Sequence, residues 1–258
     1  MTLLNNLLAF LAAIAAGMIN ALAGGGTLIT FPVLLAIGLP AVSANVTNTI
    51  ALCPGFLGGT MAQSKDLKGQ QKRLWIVLPA GALGGLAGGF LLLRTSEKLF
   101  TNLVPFLILL ASALLAVQTP VRNWLTCRLE QGKAARLPEY WIFLPVFLGA
   151  IYGGYFGAGL SVVLLSVLGL LLNDNLTRLN ALKQSIAFAA NIAAAVLFAF
   201  SGKVNWTVGL VMACGALLGG SLGGRVAGRI KPSTLRWVVV ALGFTVGTIY
   251  LVRTFFLP

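Results

Sequence analysis

Apolar residues run along this chain in long blocks separated by short charged clusters, with no period-two alternation of apolar and polar positions. Blocks such as Trp75–Leu93, Leu99–Val117 and Trp237–Val252 approach the ~20 residues a helix needs to cross a ~30 Å hydrocarbon core. A β-barrel is therefore not expected, and helices are. The blocks fall into two sets of four: about 5–38, 44–63, 74–93 and 99–118, then about 140–172, 181–202, 206–224 and 237–255. Between them Gln118–Glu139 is polar and basic and reads as a linker. The expected organisation is a first membrane repeat over 1–118, a linker over 119–139 and a second repeat over 140–258.

The two sets match in order. Ala23-Gly24-Gly25-Gly26 corresponds to Phe156-Gly157-Ala158-Gly159, and Asn45-Val46-Thr47-Asn48-Thr49 to Asn180-Ala181-Leu182-Lys183-Gln184. Leu83-Gly84-Gly85 through Gly89 corresponds to Leu218-Gly219-Gly220 through Gly224, and Arg94 to Arg229. The first block of each set is too long for one untilted span and is interrupted by glycine, a poor helix former. Each unit is thus expected to open with a broken helix or hairpin, followed by three ordinary helices.

Composition narrows the class. Of 258 residues, 58% are hydrophobic and 9% charged, against about 25% charged in a typical soluble domain. The fold class is an all-α polytopic membrane protein. The start, MTLLNNLLAF, has neither a basic n-region nor a small-residue cleavage site, so the first apolar block is expected to persist in the mature protein. A formal charge of +13 would point to nucleic acid in a soluble protein. Here the basic residues cluster at block ends, where they set topology and meet anionic head groups, and no nucleic-acid partner is expected.

Those charges also test the direction of the copies. If every block crossed once, the two faces would carry similar numbers of Lys and Arg. If the first block of each set enters and leaves on one side, loops 65–73, 119–140, 173–183 and 225–236 share a face. They carry four, four, two and four basic residues, leaving four of the 18 opposite. The positive-inside rule prefers the second arrangement, which makes the repeats inverted and the basic face cytoplasmic. Inverted repeats with broken helices are a plan of secondary transporters.

Candidate chemistry follows from the breaks. A break inside a membrane exposes backbone groups, and helix N-termini beside it suit an anion. Gly24, Gly25, Gly26 and Thr27, and Gly157, Gly159 and Ser161, are candidate anion cradles, although glycines also serve close helix packing. Asn45, Asn48 and Thr49 with Asn180, Lys183 and Gln184 form a second polar set at the start of the next helices. Lys183 is ionisable within an apolar block, a functional candidate by default, although a lysine can also snorkel to the interface. Tyr152, Tyr155, Asn20 and Asn191 lie near the breaks or on paired helices without an assigned role. All five acids fall in loops or at block ends, which argues against a cation site.

Cys53, Cys127 and Cys214 are scattered and histidine is absent, so no Cys/His metal site, no cofactor and no catalytic centre is expected. The strings Gly81-x-x-Gly84-Gly85-x-x-Gly88-Gly89 and Gly215-x-x-x-Gly219-Gly220-x-x-Gly223-Gly224 are expected to pack helices.

With these features in place, the sequence resembles the sulfite exporter TauE/SafE family. The residues that carry the resemblance are Gly17-Met-Ile-Asn20-Ala-Leu-Ala-Gly24-Gly25-Gly26, Phe31-Pro32-Val33-Leu34 and Ala44-Asn45. In the second copy they are Gly149-Ala-Ile-Tyr-Gly153-Gly154-Tyr-Phe-Gly157-Ala-Gly159, Asn180-Ala-Leu-Lys183 and Phe198-x-x-x-Gly202-x-Val204-x-Trp206. The resemblance implies a plasma-membrane transporter, an exporter of sulfur-containing anions such as sulfite, sulfoacetate or other organosulfonates. Its partners would be a small anion and the lipid bilayer, with a homo-oligomer left open. A channel or cation-coupled carrier for another metabolite, or a non-transporting assembly partner, are the alternatives.

Overall fold

The computed structural model describes residues 2–22, 25–130, 138–226 and 232–256, and among them the regular structure is helical. The first half contains α1 (Leu3–Leu22), α2 (Thr27–Ala36), α3 (Ala41–Ala62), α4 (Gln71–Arg94) and α5 (Glu97–Ala116). A connecting helix α6 (Gln118–Glu130) follows. The second half contains α7 (Phe143–Tyr155), α8 (Leu160–Leu171), α9 (Leu176–Ala199), α10 (Trp206–Val226) and α11 (Pro232–Phe255). Among the described residues five helices are long and apolar enough to span a membrane: Leu3–Asn20, Gln71–Arg94, Glu97–Ala116, Leu176–Ala199 and Ser233–Phe255. α3 is 22 residues long but carries Asn45, Thr47, Asn48 and Thr49; the first three are buried against protein. α2 and α8, at 10 and 12 residues, reach only part of the way across.

The connecting segment, which its polar composition marks as a linker, contains the helix Gln118–Glu130. Its Leu125 is fully buried and lies where a Cβ on Gly169 of α8 would sit, and Val121 and Leu129, one turn to either side, pack against the same core, so an apolar stripe holds the helix against the bundle. Residues 131–137 of that segment, with Lys133 and Arg136, lie outside the described residues.

Glycine contacts give the helix directions. A Cβ on Gly84 would lie 2.5 Å from the carbonyl oxygen of Phe147, and one on Gly88 would overlap that of Ile151, so α4 and α7 run parallel. Gly215 meets Phe10 and Gly219 meets Ile14, so α10 runs parallel to α1. Gly81 meets Ile186 and Gly89 meets Phe198, so α4 also runs parallel to α9. At Gly84, Gly85, Gly88, Gly215 and Gly219 the packing is thus a direct backbone approach that a side chain would block, whereas Gly220 has nothing within 4 Å.

α3 and α9 run antiparallel: Cys53 contacts the carbonyl of Asn191 at 3.7 Å, Thr60 that of Gln184 at 3.4 Å, and Gln63 pairs with Asn180 at 2.7 Å. α5 and α11 are antiparallel too, with Gly243 on Ser112 and Gly247 on Leu109. Exchanging α1–α5 with α7–α11 in order maps α1/α10 onto α7/α4 and α3/α10 onto α9/α4, while α3/α9 and α5/α11 map onto themselves.

Polar contacts sort the loops by face. Arg73 binds Glu139 at 2.9 Å and Asp174 at 2.5 Å, and Arg178 binds Asp174 and the carbonyl of Lys68, each at 3.1 Å. The segments before α4, before α7 and between α8 and α9 thus meet on one face, where the sequence put its basic loops. At the opposite ends of these helices, the Glu97 carboxylate accepts from the Val42 N–H at 3.1 Å and Ser43 donates to the Lys203 carbonyl at 2.7 Å.

Candidate functional site

The first break lies between Leu22 and Thr27. Gly24 is outside the described residues; Gly25 has φ +94°, in the left-handed region that favours glycine. The Gly26 N–H donates to Asn20 Oδ1 at 2.8 Å, and a Cβ on Gly26 would lie 2.7 Å from the Ala16 carbonyl oxygen. Thr30, buried one turn on, donates to the Gly26 carbonyl at 3.2 Å. The start of α2 is thus folded back tightly onto the end of α1, with Thr27 and its hydroxyl at the turn.

The second break lies between Tyr155 and Leu160. The N–H groups of Phe156 and Gly157 both donate to the Tyr152 carbonyl, at 3.0 and 3.1 Å. Gly157 and Gly159 have φ +78° and +79°, whereas Ala158 between them needs no left-handed conformation, so alanine is tolerated there. Tyr152 donates its hydroxyl to the Ala158 carbonyl at 2.6 Å. Ser161, half-buried, lies in the first turn of α8.

Sequence reasoning left Asn20 and Tyr152 unassigned, yet they do the same job. Each stands three residues after a glycine (Gly17, Gly149) and reaches the backbone six residues on, Asn20 as acceptor and Tyr152 as donor. Their equal offset from Gly17 and Gly149 was the signal.

Two helices bring the breaks together. On α5, Leu115 packs where a Cβ on Gly25 would sit, and the adjacent Leu114 does so at Gly159. On α3, Asn45 donates through Nδ2 to the Tyr155 carbonyl at 2.8 Å, and Asn48 through Nδ2 to Thr27 Oγ1 at 3.4 Å. Residues i and i+3 share a helix face, so one face of α3 touches both breaks. Phe31 of α2 meets Phe156 edge-on at 5.3 Å, and Phe100 meets Tyr155 at 5.6 Å. Leu28, Phe31, Leu115, Phe156 and Ala158 are all buried in one apolar cluster that borders both breaks. Thr49, half-buried, turns its hydroxyl back to the Asn45 carbonyl at 2.9 Å.

The rest of the expected polar set stands elsewhere. Because α9 is antiparallel to α3, Asn180, Lys183 and Gln184 pack beside the far end of α3. Asn180 bonds Gln63, and Gln184 covers Gly59. Asn48 and Gln63 are 15 residues apart in sequence, roughly 22 Å along a helix. The second polar set thus stands as two clusters, Asn45 and Asn48 in one and Asn180, Lys183 and Gln184 in the other, one towards each end of the α3/α9 pair. Lys183 is half-buried, and Arg122 of α6 acts on it as a like charge. Among the described residues no carboxylate lies within ion-pair distance of Lys183.

Comparison with known proteins matches this architecture to a family. The family model described as sulfite exporter TauE/SafE matches residues 9–250. A probable membrane transporter protein of Haemophilus influenzae is 31% identical over 238 residues, covering 91% of this chain and 90% of that protein. Probable membrane transporter proteins of Escherichia coli (strain K12) and of a Sinorhizobium species are 26% and 27% identical. They cover 83% and 84% of this chain, and 77% and 82% of their own lengths. No solved structure matches.

Proposed function

The chain belongs to the sulfite exporter TauE/SafE family and is a multi-pass membrane transporter, and on that premise we propose that it exports small sulfur-containing oxyanions or sulfonates across the bacterial inner membrane. The observation that carries this reading is the pair of glycine breaks held against neighbouring residues of α5. At each break a helix begins, α2 and α8, and the positive dipole end there suits an anionic group.

The two halves are read as inverted repeats. The antiparallel α3/α9 and α5/α11 pairs, and pairings that survive exchange of the halves, support that reading. Rocking of one half against the other would then expose the breaks to each side in turn. Lys183, with Arg122 nearby, stands towards the basic face and draws anions to the cytoplasmic mouth. Gly25, Gly26, Thr27, Gly157, Gly159 and Ser161 would hold the anion between the breaks.

The test is flux from proteoliposomes loaded in turn with sulfite, sulfate, thiosulfate, sulfoacetate and carboxylates, with and without a pH gradient. Sulfite or a sulfonate should leave fastest, and Lys183→Ala should slow it at least tenfold with the protein still inserted. Flux of every anion at the level of empty vesicles would overturn the reading.

A further inference from the structure

Asn45 and Asn48 are each 1% exposed, and each uses its NH2 group to hold a break. Their carboxamide oxygens are buried and accept no hydrogen bond among the described residues. Buried polar atoms are rarely left so, because the lost hydration is not recovered. The two residues sit one turn apart on one face of α3. Asn45 lies directly on Tyr155, the last residue of α7, where the helix dipole presents its negative end.

A carboxamide oxygen only accepts. An oxyanion placed there would meet lone pairs, so these atoms do not belong to the anion cradle. They call for a hydrogen-bond donor or a cation, and the helix C-terminus beside them favours charge over a neutral water. Of the five acids Glu97 comes within one turn of Asn45, where its carboxylate is already held by the Val42 N–H at 3.1 Å, and no carboxylate bonds the two amides to balance a divalent ion. We propose that Asn45 Oδ1 and Asn48 Oδ1 bind a dehydrated monovalent cation, sodium, between the two breaks. The absence of membrane-embedded carboxylates, which argued against a cation-coupled carrier, is not decisive: neutral amide and backbone oxygens beside a broken helix suffice for a monovalent ion. A sodium ion there would offset one negative charge of a substrate held at the opposing N-termini. That coupling rests on the anion-transport reading; the binding site does not.

Binding is measured on the purified full-length protein by thermal unfolding in sodium, potassium or choline chloride at constant ionic strength. A saturable rise in midpoint of several degrees is expected with sodium and not with choline. Asn48→Val should abolish it. Asn48→Asp keeps an oxygen in place, and Thr27 can donate to it, so that variant should fold and bind sodium at least tenfold more tightly. Identical melting of the wild-type protein in the three salts would overturn the site and assign the oxygens to water. Sodium-dependent melting together with anion flux indifferent to a sodium gradient would overturn the coupling alone. Sodium-dependent melting with no flux of any anion would sink the transport reading and spare the site.

Discussion

Asn45 of α3 donates its side-chain amide to the backbone carbonyl of Tyr155, 2.8 Å away and 110 residues later in the chain. The carbonyls at the end of a helix have no partner within the helix. At the end of α7 one such group is satisfied from the other half of the molecule, in a buried setting. Asn45→Leu removes the donor and leaves that carbonyl unpaired, which should cost roughly 1–3 kcal/mol. The unfolding midpoint in detergent reads the loss, and anion flux should fall with it. A leucine variant as stable and active as wild type would mean that the contact holds nothing in place.

The glycines of α4 and α10 can be told from other glycines by substitution. A Cβ on Gly88 would overlap the carbonyl of Ile151, and one on Gly219 that of Ile14. Gly88→Ala and Gly219→Ala should each destabilise by about 1–3 kcal/mol or more, because parallel backbones must separate. Gly58 lies on an exposed face of α3 with nothing within 4 Å, and Gly58→Ala should be neutral or stabilising by up to ~1 kcal/mol. The yield of folded, monodisperse protein and its melting temperature distinguish the two groups.

Asp174 joins three segments of the basic face. Burial alone would raise its carboxyl, but hydrogen bonds from Arg73, the Asn175 backbone and Arg178 hold it below the ordinary value. A depressed carboxylate stabilises the folded state above its unfolded pKa of about 4 and loses that effect only as the pH falls through the lower folded value. The α8–α9 loop should therefore stay protected from hydrogen exchange down to about pH 4 and open below it. Asp174→Asn should raise exchange there at neutral pH, by the equivalent of roughly 1–3 kcal/mol.

The proposed inversion of the two halves can be tested with single cysteines. Lys65 and Lys203 are exposed, at opposite ends of the helices they adjoin. In a background with Cys53, Cys127 and Cys214 replaced, an impermeant maleimide applied outside intact cells should label Lys203→Cys and spare Lys65→Cys. Labelling of both from the same side would exclude the inverted arrangement.

Much was determined by the sequence alone, because it depends on local quantities. Block length and hydrophobicity set the membrane class and most of the helices. Glycine runs marked both the broken segments and the close packing faces, and the loop charges grouped residues 65–73 with 173–183 on one face. What the tertiary structure decided is which polar group answers which. Asn45 and Asn180 align in the sequence, yet one caps Tyr155 and the other pairs with Gln63. Helix α6 is held against the bundle by a narrow stripe, Val121, Leu125 and Leu129, set in an otherwise polar stretch. Lys183 fell away from Asn48 because α3 and α9 pack antiparallel, which puts the start of one beside the end of the other. Partners of this kind are fixed by the register between helices more than a hundred residues apart in the chain, and no local pattern encodes that register.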